Sequence, residues 1–408
     1  MRIVIATLVS VLGGANVLAA DWPQWLGPNR NASSTEKVAA WKEAPKALWH
    51  VSVGEGHSSP VVADGRVFVL SKGDGNTEVM ACYNAESGKE LWTKSYQRAD
   101  FSSEFGNGPR ATPCVVGKHV YTFGVTGILS CYDVADGTRN WQVDTLKDFK
   151  ANNLKFGMSG SPLVEDGKVL INVGAKGASL VAVDADTGKL AWKALDDRAS
   201  YSSPVALGEG KERQIVFFTA DGLVSVKPAD GSVYWKYPLV DQLLESSTTP
   251  VAIGDQLLAS SITYGSVLLK LAAKDDKPDA SKLWRNEKLN SYFTTPVAVG
   301  SDHIYMVTGI PIPGLARADL QCVELKTGKS LWRHEKVGKY HACLLRTGND
   351  KLLLLEEAGN LVLVDPNPEK YVELARSKVC GETWAHPALA NGRLYVRDAK
   401  ELICLEMP

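Results

Sequence analysis

The sequence predicts an all-β fold, an eight-bladed β-propeller of four-stranded antiparallel blades whose ring is closed by an N-terminal strand. Three observations carry this. Trp49, Trp92, Trp141, Trp192, Trp235, Trp284 and Trp332 recur 43 to 51 residues apart. A proline, usually preceded by Ser or Thr, recurs at Pro60, Pro113, Pro162, Pro204, Pro250, Pro296 and Pro387. Eight apolar segments rich in β-branched and aromatic residues (RVFVL, HVYTF, KVLIN, QIVFF, QLLAS, HIYMV, KLLLL and RLYVR) recur, all but KLLLL following a proline landmark across a short turn. A repeat of this length built from four short strands is the signature of a propeller blade.

The elements follow in chain order. Met1-Arg2, the apolar run Ile3 to Leu12 and the small pair Ala19-Ala20 read as a secretory signal peptide over residues 1–20. That run is too short for a stable membrane span, and no other segment predicts one. Without a cysteine after the cleavage point, a lipid anchor is not expected, so the chain is expected in the periplasm or secreted. Residues 21–46 form an N-terminal extension. Its Trp22, Trp25 and Trp41 are expected to cover a blade edge or a surface patch, or to meet a partner.

The propeller occupies residues 47–408. In each unit a short first strand starts at the proline and ends at a turn such as Asp64-Gly65, Asp166-Gly167 or Asn391-Gly392, dipeptides that tolerate the positive φ of tight hairpins. A second turn, often Ser87-Gly88, Asp136-Gly137, Thr187-Gly188, Asp230-Gly231 or Thr327-Gly328, precedes the tryptophan-bearing fourth strand. The double gap between Pro296 and Pro387 holds a degenerate unit, HACLLRTGNDKLLLL, with Leu344 at the proline position. The eighth unit has three strands before the chain stops, and LWHVSV, with Trp49, has a fourth-strand pattern but no blade of its own. It is expected to complete blade eight, which would otherwise leave an open sheet edge.

Composition excludes some partners. Lys plus Arg number 45 against 46 Asp plus Glu, without a run of five like charges, so no nucleic-acid footprint is present. Of seven cysteines, Cys82, Cys131, Cys322 and Cys404 share one repeat position, and equivalent sites in separate blades lie too far apart to bridge. They are expected as buried thiols; Cys114, Cys343 and Cys380 have no assigned role.

The units, VDADTGKLAW most clearly, resemble the PQQ-type (quinoprotein) propeller repeat over about residues 47–408, and DWPQWLGPNRN resembles the opening of exported bacterial members. The resemblance implies tryptophans docked between neighbouring blades. It also implies one of two functional branches: alcohol or glucose dehydrogenases that use PQQ and calcium, or cofactor-free protein-binding scaffolds such as the outer-membrane assembly protein BamB. The scaffold branch is the expected one. The dehydrogenase branch needs carboxylate and amide ligands for Ca²⁺ and, in alcohol-oxidising members, adjacent cysteines, which this sequence lacks.

Counting back from the landmarks locates a candidate site. The residues two before are uniformly small: Ser58, Ala111, Gly160, Ser202, Thr248, Thr294, Ala342 and Ala385. Three before, the ring varies: His57, Arg110, Ser159, Tyr201, Ser247, Phe293, His341 and Trp384. Variation where a scaffold repeats marks a grafted site. His57, Arg110, Tyr201, Phe293, His341 and Trp384 are the candidate ligand-binding residues, with Arg110 the best holder of an anionic group. The blade-six insertion Ile310-Pro-Ile-Pro-Gly-Leu-Ala-Arg317 and the approach Phe101 to Arg110 are expected on the same face. No HExxH, nucleophile elbow or histidine metal spacing occurs, so neither a catalytic residue nor a metal site is assigned. The expected partner is an envelope protein, a peptide or a glycan. The alternative is a divergent PQQ oxidoreductase or a glycan-active enzyme working through His57, Arg110, Tyr201 and His341.

Overall fold

The structure is a computed structural model that describes residues 21–310 and 315–408. The segment read as a signal peptide and four residues of the blade-six insertion lie outside the described residues.

Eight four-stranded antiparallel sheets follow one another around the ring. Blade one shows the pattern: Val61–Ala63 innermost, then Arg66–Lys72, Thr77–Asn84 and the outer Glu90–Gln97. The second and third strands are almost wholly buried, whereas the outer strand buries only Trp92 and Tyr96. Strands packed between neighbouring sheets read as continuous apolar runs, and the outermost strand keeps little more than its docking aromatics out of water. The first turns take the expected geometry, with Asp64 at φ 48° and Gly65 at φ 69°.

One register recurs in every blade. Cys82 faces Trp92, Cys131 faces Trp141, Ala182 faces Trp192 and Cys322 faces Trp332, each with a ladder irregularity one step beyond. In blade seven the same place pairs Leu363 with Ala375, so the degenerate unit lost its tryptophan as well as its proline. The third-strand partner of the indole is a small Cys, Ala or Ser in every tryptophan-bearing blade except the fifth, where it is Leu268. The ring then reaches the next blade: Trp92 Nε1 donates to Val134 O at 3.0 Å and Trp141 Nε1 to Ala185 O at 2.9 Å. Gly88, at φ 70°, lies so close beneath Trp49 that an added Cβ would sit 2.7 Å from the indole. Blade five turns on Asp275-Asp276 instead of a glycine, and Trp235 of blade four bonds within its own blade, to Gln214 Oε1 at 2.9 Å.

The ring closes as the strand count requires. Ala47–Ser52 pairs antiparallel with Glu401–Glu406, Trp49 facing Cys404, and Trp49 Nε1 donates to Ala85 O of blade one at 3.1 Å. All seven cysteines are free and buried.

The Ser/Thr before the proline landmark has a physical role. Its hydroxyl accepts the equivalent backbone N–H of the neighbouring blade. Ser59 N donates to Thr112 Oγ1 at 3.1 Å, Thr112 N to Ser161 Oγ at 2.9 Å and Ser161 N to Ser203 Oγ at 2.9 Å. His386 N returns to Ser59 Oγ at 2.9 Å. These bonds satisfy donors that innermost strands would otherwise leave bare around the axis.

The N-terminal extension corrects an expectation. Trp22 covers a blade edge, but the inner one that faces the channel, and Trp25 enters the channel itself. Trp22 pairs with Val62 of the innermost strand of blade one and stacks on His386, with 6.1 Å between centroids. Trp25 Nε1 donates to Thr249 Oγ1 at 2.8 Å. Between them and blade seven runs Arg30, only 3% exposed. Its guanidinium donates to Pro204 O at 2.8 Å and also to Pro162 O, and its Nε to Gln24 Oε1 at 2.9 Å. Ser33 then bridges Arg346, and Glu36 receives the Asn391 and Gly392 N–H groups. A non-periodic segment carries no strand signal, yet its aromatic rings and one fully bonded guanidinium fill an eight-backbone hole that blade residues leave open. Trp41 does cover an edge, bonding Ser377 of the outer strand of blade seven at 2.9 Å.

Candidate functional site

The extension closes the channel from the side of the first turns. The opposite side, where the innermost strands begin, opens into a funnel of about 130 Å³. All eight ring residues line it, one from each blade: His57, Arg110, Ser159, Tyr201, Ser247, Phe293, His341 and Trp384. Trp25 of the extension also contributes to the lining. Counting back from the landmarks therefore finds residues that the fold brings together.

The ring has two unlike arcs. From blade six through blade one it is aromatic. Trp384 stands with Phe293 at 5.1 Å, His57 at 5.4 Å and His341 at 6.3 Å between centroids. Its Nε1 donates to the buried carboxylate of Glu357 at 2.7 Å, and Glu357 is held in turn by the Tyr340 N–H at 2.8 Å. From blade two through blade five the arc is polar, with Arg110, Ser159, Tyr201 and Ser247 joined by Glu245.

Besides Trp25, Ser161 and Ser203, three lining residues from the linkers between blades escaped the sequence. Glu245 lies in the linker into blade five; one carboxylate oxygen accepts the Tyr292 hydroxyl. Phe156 stands 5.7 Å from Tyr201. Phe105, from the long approach to blade two, reaches across the mouth to Trp384 at 5.4 Å, Phe156 at 5.4 Å and Tyr340 at 6.1 Å. Long inter-blade linkers were the available signal, but which linker residue turns inward follows no period.

Two ring residues hold that loop. Arg110 donates to the carbonyls of Gly108 at 2.7 Å and Gly106 at 2.8 Å, and His57 Nε2 sits 2.8 Å from Phe105 O. Part of the fork expected to grip an anion is thus spent on backbone. Burial, more than any other cause, lowers the Arg110 pKa to about 10, so the group stays charged at neutral pH. Burial also drives His57 down to about 4 and His341 down to about 3, leaving both imidazoles neutral. His341 is further committed to Thr294 Oγ1 and Cys343 Sγ, each at 3.1 Å. Burial pushes the Tyr201 phenol up to about 12, so it remains a donor.

Beside the funnel, across Phe105, His57 and Trp384, lies a recess lined by Glu55, Glu104, Glu382 and Asp398. Among the described residues no three His, Cys, Asp or Glu side chains are placed to hold a metal ion, and no helix is long and apolar enough to cross a membrane.

An eight-bladed propeller with tryptophan-docked blades, one mouth plugged by its own N-terminal segment and the other an aromatic funnel, is the class of protein that fold and site define. The chain belongs to the PQQ-like repeat family whose model is described as "Outer membrane protein assembly factor BamB", which matches residues 31–93 and 75–334. It is similar to the structure of BamB from Moraxella catarrhalis, at TM-score 0.63 and 15% identity, covering 90% of this chain and 98% of that one. It is equally similar to a quinohemoprotein alcohol dehydrogenase from Comamonas testosteroni, at TM-score 0.64 and 13% identity over 94% and 80% of the two chains. By sequence, a quinohemoprotein alcohol dehydrogenase of Pseudomonas putida is 29% identical over 187 residues, 44% of this chain. The match spans only 24% of that protein's length. The structural likenesses establish the fold and do not separate the two branches.

Proposed function

We propose that this chain is an exported binding propeller of the cell envelope that holds a group of an envelope protein, peptide or glycan in the channel-face funnel, without catalysing a reaction. One observation carries the reading: eight side chains of six different types, one per blade, converge on a single aromatic-walled cavity in a scaffold that otherwise repeats. His57, Arg110, Tyr201, Phe293, His341 and Trp384 are its binding residues, with His57 and Arg110 acting partly through the Phe105 loop.

The chemistry of the wall supports binding over oxidation. Ca²⁺ takes about six to eight oxygen ligands, whereas the funnel lining offers one carboxylate, Glu245, already bonded to Tyr292. PQQ carries several carboxylates, and the cation facing it would be Arg110, whose fork is partly filled by carbonyls. The donor set does not fit PQQ with Ca²⁺. Acid–base work by the two histidines is likewise disfavoured, because burial makes both imidazoles weak bases and their ring nitrogens already bond within the protein.

A photo-reactive side chain placed at position 293, in the funnel, and another at Leu190, on the outer rim, test this in cells. Adducts of protein, peptide or glycan are expected from position 293. Adducts from the rim alone would sink the reading. For the alternative, tryptophan fluorescence during titration with PQQ and Ca²⁺ should stay flat at tens of micromolar; a saturable Ca²⁺-dependent response would restore the dehydrogenase.

A further inference from the structure

The charge balance and the two arcs of the funnel narrow the occupant. Its charged lining groups are Arg110 and Glu245, of opposite sign, and its two histidines are neutral. A multiply charged ligand therefore finds no net countercharge inside. A bare cation would meet Arg110, and a bare anion Glu245.

The hydrogen-bonding capacity left on the polar arc is mixed. Tyr201 Oη accepts the Phe156 N–H at 3.4 Å, and its own hydrogen has no acceptor among the described residues. Ser161 and Ser203, also in the lining, accept backbone N–H groups at 2.9 Å and keep their hydroxyl hydrogens in the same way. The Glu245 oxygen not bonded to Tyr292 is left to accept. Hydroxyl-like donors and a carboxylate acceptor face an arc of Phe293, Trp384, His57 and Phe105. The matching ligand has an apolar face, an edge of groups that both donate and accept, and no net charge.

We propose that the funnel takes a single neutral pyranose unit. The aromatic arc covers its C–H face, and Tyr201, Glu245 and Arg110 hold its hydroxyl edge. The inference rests on the binding reading above and names the ligand class of that same site. Size limits the occupant: at about 30 Å³ per water the enclosed 130 Å³ is room for roughly four water molecules, so the funnel seats part of one ring, the rest standing in the open mouth, and excludes a chain. A longer glycan would present one residue and leave the rest at the mouth, beside Phe105.

The test titrates the protein with the methyl glycosides of glucose, galactose, mannose and N-acetylglucosamine, read by tryptophan fluorescence and saturation-transfer NMR. Tetramethylammonium and citrate serve as charged probes. Saturable binding of at least one glycoside, and of neither charged probe, is expected. Tyr201→Phe and Glu245→Gln should each weaken it about ten-fold at unchanged melting temperature, Phe293→Ala more strongly, and Leu190→Ala on the rim not at all. No saturable binding of any glycoside overturns the pyranose assignment, as does binding that Tyr201→Phe and Glu245→Gln leave untouched. Adducts retained at position 293 would then leave the binding propeller standing with another occupant; their loss as well would remove both.

Discussion

The two mouths of the channel are built from the same eight strands and end in opposite chemistry. At one, the N-terminal extension saturates everything it meets: Trp22 pairs with a strand edge, Trp25 finds a threonine, and Arg30 places its hydrogens on carbonyls of blades three and four. At the other, Tyr201, Ser161, Ser203 and Glu245 retain hydrogen-bonding capacity beside open space. A protein interior leaves few polar groups half-used. One mouth is closed by bonds of the chain's own extension, and the other keeps hydrogen-bonding capacity that a ligand of the proposed kind would complete.

Four experiments break or sharpen that contrast. The largest effect is expected from deleting residues 47–53, which strips the outer strand from blade eight and, with Trp49, the indole that docks on blade one. Such a chain should show no native-like cooperative melt by circular dichroism; a wild-type transition would refute the closure. Next comes Arg30→Met, at the sealed mouth. It orphans buried carbonyls and should lower unfolding free energy by about 3 kcal/mol or more in urea. A loss below about 1 kcal/mol would mean that the plug is not held as described.

Acid should weaken the open mouth. His57 and His341 titrate near 6.5 when unfolded and at about 4 and about 3 when buried. Between those values the unfolded chain takes up protons that the folded chain refuses. Their contribution is therefore complete above about pH 6.5, declines as the pH falls, and changes no further below about 3. The double variant His57→Asn, His341→Asn should show a shallower decline in urea midpoints over this range, and an unchanged slope would contradict the burial of the pair. The smallest stability effect belongs to Trp384→Ala, on the half-open wall, at about 1–2 kcal/mol. It should nevertheless remove funnel binding, whereas a stability loss as large as that of Arg30→Met would make Trp384 a core residue.

How much of this could be read in the sequence depends on periodicity. Blades, hairpin turns and the closing strand were legible because each repeats, and repetition turns weak propensities into a pattern. The ring was legible for a related reason: the proline landmarks fix a register, and residues three before them fall at one height on the axis. Trp22, Trp25 and Arg30 were not legible as a plug, because a segment that fills a hole obeys the shape of the hole and no period of its own. Phe105, Phe156 and Glu245 sit in linkers, where direction is set by turns and by the grip of Arg110 and His57. Ala375 hid the seventh docking site because only strand pairing, Leu363 against Ala375, reveals which residue took the place of the indole.

The clasp between Ala47–Ser52 and Glu401–Glu406 joins segments made early and late, and so it dictates an order of events. As the chain emerges, successive hairpins can form from local contacts, but blade eight cannot be assembled until its last strand arrives. The extension that plugs the axis touches blades on both sides of that seam, so it too must wait. Such long-range pairing is slow. Until the clasp forms the blades make an open arc; once it forms, Glu401–Glu406 no longer stands as an unpaired outer edge at the seam.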